Sequence, residues 1–128
     1  MSRIENAVAF AGSNRVLLLR HEASGTSVDL SLGQLGFEKD TVRRARRLVA
    51  FGTTIPVASP ADLVILKAVA GRPHDYADIF TLLDANPRLD LARVRRIVGE
   101  FAEALEAPDL RDELEAVLAR CRRLRARR

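Results

Sequence analysis

Two charged residues lie in segments that are otherwise apolar, and they are the first candidates for chemistry. Asp29 lies inside a predicted strand, where aspartate is uncommon, so its carboxylate either points to water or needs a cationic partner or a metal ion. Lys67 is the only charged residue between Asp62 and Arg72, in a predicted helix that is apolar on nearly every face. A lone buried ammonium group is costly, so the head of Lys67 either reaches solvent or pairs with a carboxylate.

A third candidate is the group of charges that follows this helix. Asp75 and Asp78 are three residues apart, which places both carboxylates on one face of a helix close to Arg72. Such a group either supports a ligand or forms a structural ion pair where two helices meet. The sequence leaves both interpretations open.

The other residue types that catalyse reactions or bind metals occur singly. His21 and His74 have no second histidine or cysteine at the spacing of a metal site, so metal binding by histidine is not expected. Cys121 completes an apolar helical stripe, and we expect it to pack in the core. The sequence contains no glycine-rich phosphate loop, dinucleotide-binding glycine motif, nucleophile elbow or H-E-x-x-H motif, which excludes the enzyme classes that these motifs define.

The elements that must position these candidates change character near residue 59. Before it, apolar residues alternate with polar ones, which predicts strands, and a turn at 23–26 joins the first two as an antiparallel hairpin. The predicted elements are strands at 16–19 and 28–32, a short helix from Phe37 to about Ala45, and strands at 48–51 and 53–57. Pro56 makes the last of these an edge strand or a strand end.

After residue 59 the apolar residues repeat at the period of a helix. Ser59, Pro60 and Asp62 are typical of a helix start, with a capping hydroxyl, a proline at the first helical position and an acidic capping-box partner. The stripes predict helices at 59–70, 74–85, 91–105 and 110–124. We expect an α+β fold, a small mixed or antiparallel sheet followed by a C-terminal helical bundle. We expect one domain, 1–128, with a sheet-rich part at 1–58, four helices at 59–121 and an arginine-rich tail at 122–128.

Length and charge limit the possibilities further. A chain of 128 residues with 48% hydrophobic residues can bury one core. The net charge is +4, but arginines are concentrated in the last few residues and the rest of the chain is nearly neutral. Nucleic-acid binding through this end therefore ranks below the two functions given at the end of this section. No apolar run is long enough for a membrane span, no signal peptide is recognisable and there is a single cysteine, which together predict a cytoplasmic protein without membrane contact.

Four ordered blocks of sequence carry a family resemblance. They are V-D-L-S-L-G at 28–33, F-E at 37–38, I-P-V-A-S-P-A-D-L at 55–63 and L-K-A-V-A-G-R-P-H-D-Y-A-D-I at 66–79. Over about residues 15–106 the chain resembles the second half of small bacterial nucleotidyltransferase-fold proteins, which include the minimal nucleotidyltransferases and the abortive-infection toxin branch. The resemblance implies a partial nucleotidyltransferase-type fold and Mg²⁺-dependent transfer of a nucleoside monophosphate from NTP.

The resemblance also implies roles for the candidate residues. In that family three carboxylates hold Mg²⁺, two in a D-x-D element after a G-S motif and one on a neighbouring strand. Asp29 matches the third carboxylate and is implied to be a catalytic metal ligand. Lys67 is implied to be a catalytic contact to the phosphates, and together with Arg72, Asp75 and Asp78 it matches the segment beside the nucleotide.

The G-S and D-x-D elements have no counterpart in this sequence. We expect residues 1–14 to correspond to the helix and loop that follow D-x-D, with the strands bearing both motifs upstream, through truncation or a misplaced start codon. One aspartate is too few to hold Mg²⁺ for phosphoryl chemistry, so we expect this chain alone to be inactive. The alternative, from a different class, is a non-catalytic protein-interaction module of a toxin–antitoxin system.

The absence of the strands that carry G-S and D-x-D also predicts association with another chain. A sheet that lacks two strands has an uncovered edge and an apolar face, and such surfaces recruit partners. We expect a homodimer, or a partner chain that covers the sheet. The contact is expected near Val16, Leu18, Leu30 and Leu32.

Overall fold

The computed structural model describes residues 1–128, and the fold class is α+β, as predicted. Contacts divide the chain into two compact units, residues 1–43 and residues 44–128. The first unit contains α1 (Ala7–Asn14), β1 (Val16–Arg20), β2 (Ser27–Ser31) and α2 (Gly36–Arg43). The second contains β3 (Arg46–Ala50), β4 (Thr53–Val57), α3 (Pro60–Ala70), α4 (Pro73–Ala85), α5 (Leu91–Ala104) and α6 (Asp109–Ala126). The units divide between α2 and β3, whereas the sequence pattern changes near residue 59.

Strands β1 and β2 form the antiparallel hairpin that the alternating pattern predicts. In the turn between them Gly25 has a φ of 68°, a left-handed conformation that a glycine adopts without strain. Its N–H donates to the carbonyl of His21 at 2.9 Å, which closes the turn. The local sequence thus determines this hairpin.

The register of this hairpin separates residues expected at one dimer contact. Leu17, not Leu18, is the residue opposite Leu30. Directly opposite residues share a face and successive residues alternate, so Leu18 and Leu30 lie on different faces. The four residues therefore do not share one face, because Val16 shares the face of Leu18 and Leu32 continues the face of Leu30.

The outer edge of β1 is occupied by the start of the chain. Ser2 forms a bridge with Leu19, and the N–H of Arg20 donates to the carbonyl of Met1 at 2.7 Å. Residues 1–3 therefore use hydrogen-bonding groups that a bare strand edge would offer to another chain. The expectation of an uncovered edge is wrong for β1.

Strands β3 and β4 form a second antiparallel pair that is a separate two-stranded sheet. Leu48 lies opposite Ile55, and the strands are joined through Phe51 and Gly52, whose φ values are 51° and 73°. Two successive left-handed residues are the geometry of a tight hairpin turn. Pro56 lies on β4, an edge strand, in agreement with its missing N–H. The small sheet expected from the sequence is thus two antiparallel pairs.

Helix α3 is central to the helical part of the second unit, since it contacts α4, α5 and α6. Val64, Ile65 and Ala68 on this helix are buried, as its apolar sequence predicts. The other three helices contribute the remaining buried apolar side chains of the bundle: Ile79, Leu83, Val94, Val98, Ala102, Leu110, Leu114, Leu118 and Cys121. Each large aliphatic side chain contributes about 1.5–3 kcal/mol on burial, so this packing holds the bundle together.

The ends of α3 follow the signals in the sequence. Ser59 Oγ accepts a hydrogen bond from the N–H of Asp62 at 3.2 Å, and Pro60 is the first helical residue. The helix ends at Gly71, whose φ is 65° and whose N–H donates to the carbonyl of Lys67 at 3.1 Å. This left-handed end fixes the direction in which the chain leaves α3.

The arginine-rich end is helical, since α6 continues to Ala126. Arg125 donates to the carbonyl of Leu83, and Arg128 pairs with Asp84 at 3.2 Å. Cations are favoured at a helix C-terminus, and here they also reach the end of α4. No helix of the chain combines the length and the apolar character needed to cross a membrane.

Candidate functional site

Four sequence-predicted site residues meet where α3 passes into α4. Gly71 turns the chain at the end of α3, Arg72 follows in an extended conformation, and Pro73 starts α4. Lys67 on the last turns of α3 thereby lies beside the first turns of α4. We call the set Lys67, Arg72, Asp75 and Asp78 the junction cluster.

Asp75 lies at the centre of the junction cluster and is fully buried. It accepts hydrogen bonds from three groups of Arg72, the backbone N–H at 3.2 Å, Nε at 2.7 Å and Nη2 at 3.3 Å. Lys67 Nζ lies 3.3 Å from Oδ1, and Nε2 of His74 lies 3.7 Å from the same atom. The hydrogen bonds from Arg72 outweigh the desolvation of the carboxylate and lower the pKa of Asp75 from 3.8 to about 2.

Lys67 is held between two carboxylates. Its Nζ donates to Asp78 at 2.6 Å and lies 3.3 Å from Asp75, and the side chain is 28% exposed. The hydrogen bond to Asp78 raises the pKa of Lys67 above its ordinary 10.5, against the opposing effect of burial. The lysine is therefore paired, and its head also remains accessible to water.

The electrostatics of the junction cluster do not suit proton transfer at neutral pH. A general acid or base works best with a pKa near the working pH, whereas the pKa of Asp75 is lowered and that of Lys67 is raised. Both groups therefore stay charged at neutral pH. Two cations face two carboxylates, and the half-exposed Asp78 is the partner that an incoming anion can replace most easily.

Asp29 lies in the first unit, on β2, and is not part of the junction cluster. Its side chain is 65% exposed and its carboxylate accepts a hydrogen bond from the guanidinium of Arg3. Nowhere in the chain do three or more His, Cys, Asp or Glu side chains form a group that could hold a metal ion. Asp29 is a single carboxylate that is already paired with a cation, and this arrangement does not fit Mg²⁺. The role of Asp29 as a metal ligand rests on the family resemblance alone.

A second charged group surrounds Asp62, which the sequence analysis interprets only as part of a helix start. The buried carboxylate accepts from Arg44 Nε at 3.0 Å and Nη2 at 3.2 Å, and Arg93 Nη1 lies 2.8 Å from Oδ1. Burial would raise the pKa of Asp62, but the hydrogen bonds from both arginines outweigh it and the pKa is lowered below 3.8. We call these three residues the Asp62 triad; the available signal was a carboxylate on an apolar helix, which requires a partner.

The remaining candidates have ordinary structural surroundings. His21 lies in the first hairpin turn, where its Nδ1 is 2.8 Å from Ser24 Oγ. Cys121 is buried and unpaired on the inner face of α6, as expected of a core residue.

Comparisons with protein-family models, with curated proteins and with solved structures find no match for this chain.

Proposed function

We propose that this chain is a nucleotidyltransferase-like protein that binds a nucleotide at the junction cluster and does not transfer it by itself. The supporting observation is that Lys67, Arg72, Asp75 and Asp78, which share one sequence block, also share one cluster, in which Asp75 is buried and the other three side chains reach the surface. The family resemblance of that block supplies the nucleotide as the ligand.

Lys67 provides the contact to phosphate in this proposal. Its head is accessible and firmly protonated, and a phosphate group accepts charge-assisted hydrogen bonds as a carboxylate does. Arg72 is 61% exposed and offers a second cation beside it. Asp75 acts as a positioning residue, because its buried carboxylate holds both cations at the start of α4.

We propose nucleotide binding without nucleotidyl transfer because the chain lacks the carboxylates that would hold Mg²⁺. Transfer of a nucleoside monophosphate needs several oxygen ligands around Mg²⁺ to hold the NTP and neutralise the developing charge. This chain offers Asp29, which pairs with Arg3.

The test is a calorimetric titration of the full chain with ATP, in the presence and absence of Mg²⁺. Lys67→Gln should weaken binding about tenfold, the loss expected for one charge-assisted hydrogen bond. Asp78→Asn should tighten it, because it removes the carboxylate that competes for Lys67. Lys39→Gln, which changes the other lysine of the chain, is the matched control and should leave the affinity unchanged.

A transfer assay completes the test. Labelled NTP with Mg²⁺ should leave no label on protein or nucleic acid. Transfer that disappears in Asp29→Asn would mean that the chain supplies the missing ligands and that the non-catalytic part of the proposal is wrong. Equal affinity of Lys67→Gln and the unchanged chain would reject the junction cluster as the nucleotide site.

A second candidate function, a non-catalytic protein-interaction module, is favoured by the β3–β4 hairpin. Leu48, Val49 and Ile55 are exposed on its strands, and Phe51 is fully exposed in a left-handed conformation at the tip. An isolated two-stranded hairpin is only marginally stable in water, and exposed apolar groups of this kind mark interfaces.

Sedimentation of the chain from low to high micromolar concentration tests this second function. A homodimer formed through the hairpin should dissociate in Leu48→Lys, whereas Val8→Lys, at an exposed apolar position on α1, should not affect it. A monomer at all concentrations would exclude self-association and leave only a different partner chain.

A further inference from the structure

A cavity of about 540 Å³ opens in the second unit beside the start of α3. Its walls come from the first residue of β3, the first turn of α3, and the connection between α4 and α5. None of the junction cluster residues lines it. The volume lies within the range of about 300–1,000 Å³ that small-molecule sites occupy.

Two arginines without carboxylate partners line this cavity. Arg46 and Arg88 are both exposed, and neither forms an ion pair within the chain. By contrast, Arg44 and Arg93 are bound to Asp62. The guanidinium groups at the cavity are thus available to an external anion.

The one acidic residue of the cavity wall does not offset both arginines. Asp90 is the N-cap of α5, and its Oδ1 accepts a hydrogen bond from the N–H of Arg93 at 3.0 Å. Its carboxylate is therefore directed at the helix start. Two cations and one anion leave a net positive charge in the wall.

The backbone adds a donor at the same place. The N–H of Ala61, in the first turn of α3, has no acceptor in the chain, and Ala61 lines the cavity. The Oγ of Ser59 is used by the N–H of Asp62, so it does not satisfy Ala61. The unpaired arginines and this donor both favour an anion.

Most of the rest of the wall is apolar, and Asn86, its remaining polar residue, donates its side-chain amide to the carbonyl of Leu82 at 2.8 Å. Pro60, Ala85, Pro87 and Leu89 contribute side chains that cannot hydrogen bond. An anion that is bound here with a carbon skeleton or a ring attached can rest that part on the apolar wall.

We propose that this cavity binds a small phosphate monoester, with the phosphate between Arg46 and Arg88 and the organic group against the prolines and Leu89. A phosphate monoester carries about −1.5 to −2 charges at neutral pH, which suits two guanidinium groups better than a single carboxylate does. Arginine also binds phosphate with two parallel hydrogen bonds. The inference is independent of the proposed function, because it uses none of the junction cluster residues.

The test uses phenyl phosphate as the probe and ¹⁵N-labelled full chain observed by NMR. Binding should shift the amide signals of Ala61, Arg88 and Leu89. Arg46→Gln/Arg88→Gln should weaken binding at least about tenfold, since each exchange removes charge-assisted hydrogen bonds. Arg123→Gln, an exposed arginine of α6, is the matched control and should bind as the unchanged chain does.

Further arms separate the possible sources of binding. Inorganic phosphate should bind more weakly than phenyl phosphate, because it lacks the group that meets the apolar wall, and benzoate should bind more weakly because it carries one charge. Absence of binding, or unchanged binding in the double variant, would overturn the inference. Loss of phenyl phosphate binding in Lys67→Gln with full binding in the arginine double variant would also overturn it, while leaving the proposed function intact.

Discussion

Replacing Asp62 with alanine should destabilise the second unit strongly. The carboxylate is fully buried, accepts two hydrogen bonds from Arg44 and forms an ion pair with Arg93 at 2.8 Å. In the variant these guanidinium groups lose the carboxylate, and the side chain no longer joins the segment before β3 to α3 and α5. The pKa of Asp62 is lowered despite burial, which means that the folded unit favours the ionised carboxylate.

The size of the effect follows from how far each partner can return to water. A hydrogen bond to a charged group contributes about 1.5–3 kcal/mol, and removal of one partner of a buried ion pair costs about 3–5 kcal/mol. Arg44 and Arg93 are 41% and 24% exposed, so their charges are partly rehydrated after the loss of Asp62. The expected loss is therefore about 2–4 kcal/mol, below the fully buried limit and above the ~0–1 kcal/mol of a surface pair. Asp62→Asn keeps one acceptor oxygen and should lose about half as much.

Thermal and urea unfolding followed by helical circular dichroism measures this loss, because the second unit contains most of the helix. For a unit of this size 2–4 kcal/mol corresponds to a fall in Tm of about 10 °C or more. Glu100→Gln, which removes an exposed pair with Arg96 on α5, is the matched control and should change stability by less than about 0.5 kcal/mol. A double-mutant cycle of Asp62→Ala with Arg93→Ala should show coupling of at least about 1 kcal/mol. A loss no larger than that of the control would refute the stabilising role of the triad.

Three further predictions concern acid, the end of α3 and the end of the chain. The pKa of Asp75 is about 2 in the folded chain and 3.8 ordinarily, so the unfolded state binds more protons in acid. The free energy of unfolding should therefore fall as the pH is lowered from about 4 to 2. Asp75→Asn should flatten this fall, which urea titrations across the same pH range measure. Gly71→Ala forces a side chain into a φ of 65° and should cost about 1 kcal/mol, whereas Gly12→Ala, within α1 and with open space around it, should be neutral or stabilising in the same thermal melts. Deletion of residues 122–128 removes the hydrogen bond from Arg125 to α4 and should cost about 1–2 kcal/mol; an unchanged Tm would mean that this end contributes nothing to the fold.

The elements of this fold are predictable from the sequence because their signals are local. Ser59 and Pro60 mark the start of α3, and Gly71 marks its end, each through the conformation of one or two residues. The hairpin turn at Gly25 is determined in the same way. The clustering of Asp75 with its neighbour Arg72 also follows from helical spacing.

Contacts between distant residues could not be predicted in the same way. Asp62 requires a cation, but the sequence contains nineteen arginines, and no local pattern selects Arg44 and Arg93. The edge of β1 is covered by residues 1–3 through a few backbone hydrogen bonds. These bonds could not be predicted, because backbone groups are the same in every residue and no side-chain pattern indicates them. The face on which Leu18 lies depends on the register of the hairpin. A shift of that register by one residue would move the side chain to the opposite face.

The two anion sites proposed for this chain differ in what an incoming phosphate must displace. Lys67 is already bound to Asp78 at 2.6 Å, so a phosphate replaces one anion with another and gains only the difference between them. Arg46 and Arg88 have no carboxylate to release, so a phosphate in the cavity gains the whole interaction apart from desolvation. We therefore expect phenyl phosphate to shift the amide of Ala61 at lower concentrations than it shifts that of Asp78 in the same NMR titration. Asp78→Asn should bring the two transitions closer together, and an unchanged separation would show that competition by Asp78 does not set the affinity of the junction cluster.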